Sequence, residues 1–174
     1  QYVVALAETL IELGDLDGAS SLLEESKSQF ELNPALHQTL GHIAMMRGEF
    51  ERAVTSFNEA HLLTSDVGPI LEDLARAQLS AGRFAEAEYS LSRLMENKEN
   101  KDRRDLRLLW ARTLRELDRP VEARGILREL LRQPGGGKDV KAWIQLGSVS
   151  WMLGDDRDLR ASGHRLSTIA PRRY

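Results

Sequence analysis

The chain has 174 residues, 41% hydrophobic and 29% charged, which is enough to bury a core and leaves no apolar run of about eighteen residues to cross a membrane. Twenty-four basic against twenty-seven acidic side chains give a formal charge of −3, too balanced to single out nucleic acid or anionic lipid as the partner of the whole molecule. The absence of cysteine excludes disulfides, thiol nucleophiles and cysteine-ligated zinc.

The opening residues Gln1-Tyr2-Val3-Val4 carry no basic stretch, no cleavage site and no initiating methionine, so we read the chain as a piece of a longer protein whose compartment, cytoplasmic or bacterial periplasmic, stays open. An internal period follows at once. The segments Leu13-Gly14-Asp15-Leu16-Asp17-Gly18-Ala19, Arg47-Gly48-Glu49-Phe50-Glu51-Arg52-Ala53 and Ala81-Gly82-Arg83-Phe84-Ala85-Glu86-Ala87 align without gaps, their glycines 34 residues apart. Two further copies, around Asp118 and Gly154, follow at spacings of 36. Self-similarity at such a period is the mark of a repeat architecture.

The repeats divide the chain near residues 1–33, 34–67, 68–102, 103–138 and 139–174. Within each, apolar residues recur at three and four and are interrupted near the middle by Gly or Asp, so each unit is expected to be a pair of helices. Leu36, Leu40, Ile43 and Ala44 mark one helix of the second unit, and Ala53, Val54, Phe57 and Ala60 the next. Asn33-Pro34 and Gly68-Pro69 read as starts of leading helices, and Asp102 and Asp139 as caps of the fourth and fifth. Ala19, Ala53, Ala87 and Ala123 share one position of the trailing helix, where a small side chain lets two helices approach. The run Pro134-Gly135-Gly136-Gly137-Lys138 lacks the spacing, the following Ser or Thr and the preceding strand of a phosphate loop, and reads as a flexible linker. No segment alternates at period two, so the expected class is all-α, with stacked hairpins burying one another's apolar faces as a curved solenoid.

These residues resemble the tetratricopeptide repeat. With Gly48 at position 15 of its 34-residue unit, Leu40, Gly41, Phe57 and Ala60 fall at positions 7, 8, 24 and 27. The other units supply Leu6, Ala7 and Leu23; Leu71, Leu74, Ala75 and Leu91; Trp110, Ala111 and Leu127; and Trp143, Leu146, Gly147 and Pro171. His37 and Arg107 depart from the pattern where a bulky apolar residue is usual, and Asp118 stands for the turn glycine. The resemblance implies a right-handed α-α superhelical solenoid of five units, with Trp110 and Trp143 in the core.

No catalytic constellation is legible. His37, His42, His61 and His164 include no pair at metal-binding spacing, and no serine sits in a nucleophile-elbow context. We therefore expect no enzyme activity, no metal and no cofactor. The resemblance instead places a groove on the leading helices and nominates Gln38, Thr39, His42, Met45 and Met46, then Glu72, Asp73, Arg76 and Leu79, then Leu108, Arg112 and Arg115, and finally Lys141, Gln145, Ser148, Trp151 and Met152. Residues 1–66 hold eleven acids and three bases, and residues 67–174 sixteen and twenty-one, so an acidic peptide would be drawn toward Arg112 and Arg115.

The function expected is a scaffold that binds a peptide or helix of a protein partner. An RNA-binding helical repeat and the targeting part of a larger enzyme are the alternatives. Nucleic acid is not expected, because the first half is acidic and no regular polar code recurs. The positions that clamp a chaperone's C-terminal carboxylate in this family are not matched, so binding of that kind is not expected either. Val3, Leu6 and Leu10 on the first helix could pair with a second copy.

Overall fold

The computed structural model describes residues 2–64 and 68–169, and all regular structure among them is helical. In chain order these are α1 (Tyr2–Glu12), α2 (Leu16–Ser26), α3 (Pro34–Arg47), α4 (Phe50–Leu62), α5 (Gly68–Ser80), α6 (Phe84–Glu96), the single turn α7 (Lys98–Lys101), α8 (Arg104–Glu116), α9 (Pro120–Arg132), a 3-10 turn (Gly136–Lys138), α10 (Val140–Leu153) and α11 (Asp156–Ile169). They form two compact units, residues 1–90 and 91–174, with the boundary inside α6. Pro171 lies outside the described residues.

The recurring turn is the device that makes each hairpin. Gly14, Gly48, Gly82 and Gly154 all take positive φ, between 64° and 83°, and Asp118 takes the same conformation at 56°. After each of them one amide reaches back five residues to close the preceding helix. The bonds are Asp15 to Leu10, Glu49 to Ala44, Arg83 to Gln78, Arg119 to Leu114 and Asp155 to Ser150, at 2.8–2.9 Å. Such a bond satisfies carbonyls the helix end would otherwise leave open, and glycine enters the left-handed region at no steric cost. Asp118 belongs to one of the residue types that tolerate it.

Leading helices begin on side-chain caps where the sequence supplies them. Asn33 accepts from the Ala35 amide at 3.0 Å ahead of Pro34, and Asp139 accepts from the Ala142 amide at 3.0 Å. Asp102 does not cap α8. It closes α7, and the residue before α8 is Arg103, which makes no capping bond. The four-residue turn inserted at 98–101 moves the helix start past the aspartate.

In the first unit, Ala7, Ala19, Leu23, Leu36, Leu40 and Ile43 form one buried cluster. Ala19, Ala53, Ala87 and Ala123 are each fully buried, as the spacing predicts for the point of closest helix approach. Gly41 meets Phe57 there. A Cβ at Gly41 would stand 2.6 Å from the Phe57 ring, which is itself 1% exposed. In the second unit the cluster is Ala111, Leu114, Ala123, Leu127, Ala142, Leu146 and Val149, with Trp110 and Trp143 packed against it. Both indoles are only half-buried, so each serves the core with one face and leaves the other open, in contrast to full core residues.

The two departures from the repeat pattern keep its register. His37 is 2% exposed, its ring set between the Glu59 carboxylate at 2.8 Å and the Glu31 carbonyl at 2.7 Å. Arg107 pairs with Glu129 at the same separation of 22 residues. In both units a trailing-helix glutamate stands opposite the polar side chain, so its burial leaves no orphaned donor.

The glycine run is an ordered turn, contrary to its reading as a flexible linker. Gly136 is buried. The Gly137 carbonyl accepts from Arg165 Nε at 2.8 Å and from the Trp143 indole at 3.3 Å. A partner 28 residues further on in the chain holds this segment, and local composition carries no trace of it.

In the last hairpin Gly147 lies inside α10, where a Cβ would sit 3.5 Å from the Ser162 Cβ, an ordinary contact. Gly147→Ala should therefore raise stability by about 0.5–1 kcal/mol through helix propensity. A chemical-denaturation midpoint that stays put or falls would contradict the unstrained contact described there.

Candidate functional site

In the first unit, α3 and α5 bring three of the nominated side chains into one polar group. Asp73 Oδ2 accepts from Gln38 Nε2 at 3.0 Å and lies 2.9 Å from His42 Nε2. The His42 ring also stands edge-on to Phe57, with centroids 5.3 Å apart. One turn along α5, Arg76 donates to Glu72 at 2.7 Å. Met45 is half-buried and Met46 is 56% exposed. Thr39 and Leu79 do not face outward: both are buried, and the Thr39 hydroxyl donates to the Ala35 carbonyl.

Burial works to raise the Asp73 pKa, but the hydrogen bonds from His42 and Gln38, with the charges of His42 and Arg76, outweigh it and hold the carboxyl below its ordinary value of 3.8. A depressed folded value means that the carboxylate's contribution is complete above 3.8 and is lost as pH falls through the lower folded value. Asp139 behaves alike. Burial opposes ionisation, while the Arg104 guanidinium at 2.5 Å and the Ala142 and Lys141 amides favour it and prevail. Wild-type protein should thus lose stability on acidification below about pH 4 more steeply than a Gln38→Ala, Asp73→Asn double variant. Parallel acid slopes in urea titrations would contradict this role for Asp73.

In the second unit, α8 presents Arg112, which is exposed and makes no hydrogen bond or ion pair among the described residues, and Arg115, which pairs with Glu116. On α10, Trp151 is 75% and Met152 47% exposed, whereas the Gln145 Oε1 is buried without a hydrogen-bond partner. Met46 and Met152 hold equivalent places, two residues before the turn glycines Gly48 and Gly154. Among the described residues, no group of three or more His, Asp or Glu converges as a metal site would require, and no helix is long and apolar enough to cross a membrane.

The second unit also carries two clefts that helical periodicity alone does not disclose. One, of about 340 Å³, is lined by Met95, Lys101, Asp102, Arg107, Trp110, Ile126 and Glu129. The other, of about 380 Å³, lies where α9, α10 and α11 meet, with the open face of Trp143 in its wall.

Helix pairs, left-handed turns and buried alanines at a 34-residue period define a helical-repeat protein, and comparison with known proteins agrees. The sequence model of the tetratricopeptide repeat matches residues 1–25 and 70–88, and no curated protein matches by sequence. The solved structure of YrrB, described as a TPR protein with an unusual peptide-binding site, is 15% identical over 97% of this chain and 85% of its own, with a TM-score of 0.80. MamA from Desulfovibrio magneticus RS-1 is 12% identical over 97% and 91%, with a TM-score of 0.81. PilW, described as a widely conserved type IV pilus biogenesis factor, is 15% identical over 99% and 78%, with a TM-score of 0.80. Two segments of the chain thus match the tetratricopeptide-repeat model, and the solved structures share its fold.

Proposed function

We propose that this chain is a non-enzymatic scaffold that captures a peptide segment or helix of a protein partner on its leading helices, as one array of five repeats across residues 1–174. The observation that carries this reading is the exposure of Met46, Trp151 and Met152. Large apolar side chains stand in water at the ends of leading helices. Methionine and tryptophan provide contact area without demanding one partner shape. YrrB, a protein of this fold, is described as having a peptide-binding site, which supports peptide capture in general. Arg112, exposed and unpaired among the described residues, adds a preference for carboxylates.

The test is selection of peptide ligands from a displayed random library, followed by titration calorimetry. Enriched ligands should carry acidic residues, and an Arg112→Glu, Arg115→Glu variant should bind them at least tenfold more weakly, equivalent to about 1.4 kcal/mol. Unchanged affinity in that variant removes the arginines from the site. A library that yields no ligand for the wild type removes the reading itself.

A further inference from the structure

The cleft of about 380 Å³ in the second unit lies between the trailing helices α9 and α11 and the leading helix α10, and shares none of its lining residues with the leading-helix face described above. Arg128, Leu131 and Arg132 come from α9, Trp143 and Leu146 from α10, and Arg157, Asp158 and Ala161 from α11. Three guanidinium groups thus face one carboxylate. Arg128 is already committed, donating to Asp158 at 2.6 Å and to Asp155 at 3.4 Å. Arg132 and Arg157 are exposed and make no hydrogen bond or ion pair among the described residues.

Four of the other residues lining the cleft are apolar. Trp143 is fixed in orientation by its indole bond to the Gly137 carbonyl and by packing on the core, and Leu131, Leu146 and Ala161 complete the surface. In the cleft one repeat earlier Arg107 is paired with Glu129 and the other cation is the single lysine Lys101, so no pair of free guanidinium groups lines it. A site with two free guanidinium forks over a rigid aromatic wall selects a ligand that carries negative charge and apolar surface side by side.

We propose that this cleft is a second binding site, which takes an acidic-hydrophobic peptide segment of a partner protein. Carboxylates of the segment engage Arg132 and Arg157, and an adjacent aliphatic or aromatic side chain lies against Trp143. A single small anion satisfies the arginines but leaves the apolar wall in water, which is why a peptide fits better than free phosphate.

The experiment uses the full chain labelled with nitrogen-15 and the hexapeptide Glu-Leu-Asp-Phe-Glu-Leu, with Gln-Leu-Asn-Phe-Gln-Leu and inorganic phosphate as controls. Titration with the acidic peptide should shift the Trp143 indole resonance, and Arg132→Glu, Arg157→Glu protein, both substitutions being on exposed side chains, should bind at least tenfold more weakly. A Trp151→Ala variant should leave the Trp143 response intact, which separates this site from the leading-helix face. The proposal is overturned if the Trp143 indole does not move, if the uncharged peptide or phosphate alone binds as tightly, or if the arginine variant is unaffected.

Discussion

Phe57→Ala should cost about 3–5 kcal/mol, the usual loss for emptying a large aromatic site in a closed core. The ring is 1% exposed and is held on two sides, by the bare Cα of Gly41 and by the edge of His42. Urea denaturation will read the loss, and hydrogen exchange should place it in α3 and α4. The contact between Phe57 and Gly41 gives a sharper version. Gly41→Ala alone sets a methyl 2.6 Å from the ring, an overpacking of about 1–3 kcal/mol that outweighs the helix propensity of at most about 1 kcal/mol gained by replacing glycine. In a Phe57→Leu background the obstruction is gone, and the same Gly41→Ala change should become neutral or stabilising. If Gly41→Ala costs the same in both backgrounds, the two residues do not meet as described.

The second large effect is expected at Gly136. A Cβ there would lie 2.5 Å from the Leu131 carbonyl oxygen and 2.6 Å from that of Leu130. These are backbone atoms in the last turn of α9, and the Leu130 carbonyl also receives Arg104 at 3.3 Å, so neither can retreat without undoing the end of the helix. Gly136→Ala should cost about 3 kcal/mol, at the upper end of overpacking losses. Gly125→Ala is the control: it lies within α9 with nothing inside 4 Å and should stabilise by about 0.5–1 kcal/mol. Thermal unfolding of the pair should therefore move in opposite directions. A Gly136→Ala protein that melts like the wild type would restore the reading of this segment as a slack linker.

The hairpins were legible because their cause is local. A turn that needs positive φ fixes a glycine, a close crossing fixes an alanine, and both recur at one period, so Gly48 and Ala53 in the sequence already imply the α3–α4 corner. What stayed hidden depends on partners far along the chain. Nothing near Gly137 announces Arg165, and nothing near His37 announces Glu59. The inserted turn at 98–101 took the capping role away from Asp102, because an aspartate, a few residues early, serves equally to end a preceding turn.

The candidate site divides in the same way. Helical spacing put Gln38, His42 and Asp73 on leading helices, but their mutual bonds need the relative placement of α3 and α5. The same spacing could not separate Thr39 and Leu79, which are buried, from Met46 and Trp151, which are exposed. A single residue of rotation on a helix is about 100°, enough to turn a groove position into a core position.

If the leading helices are the binding surface, as proposed, the four methionines report on it. Met45, Met46 and Met152 stand on leading helices, whereas Met95 lines the cleft beside Trp110 on the trailing side. With carbon-13-labelled methionine methyl groups, a library-selected ligand should shift the Met46 or Met152 resonance and leave Met95 in place. A ligand that binds while moving Met95 alone, or no methyl at all, contradicts the account.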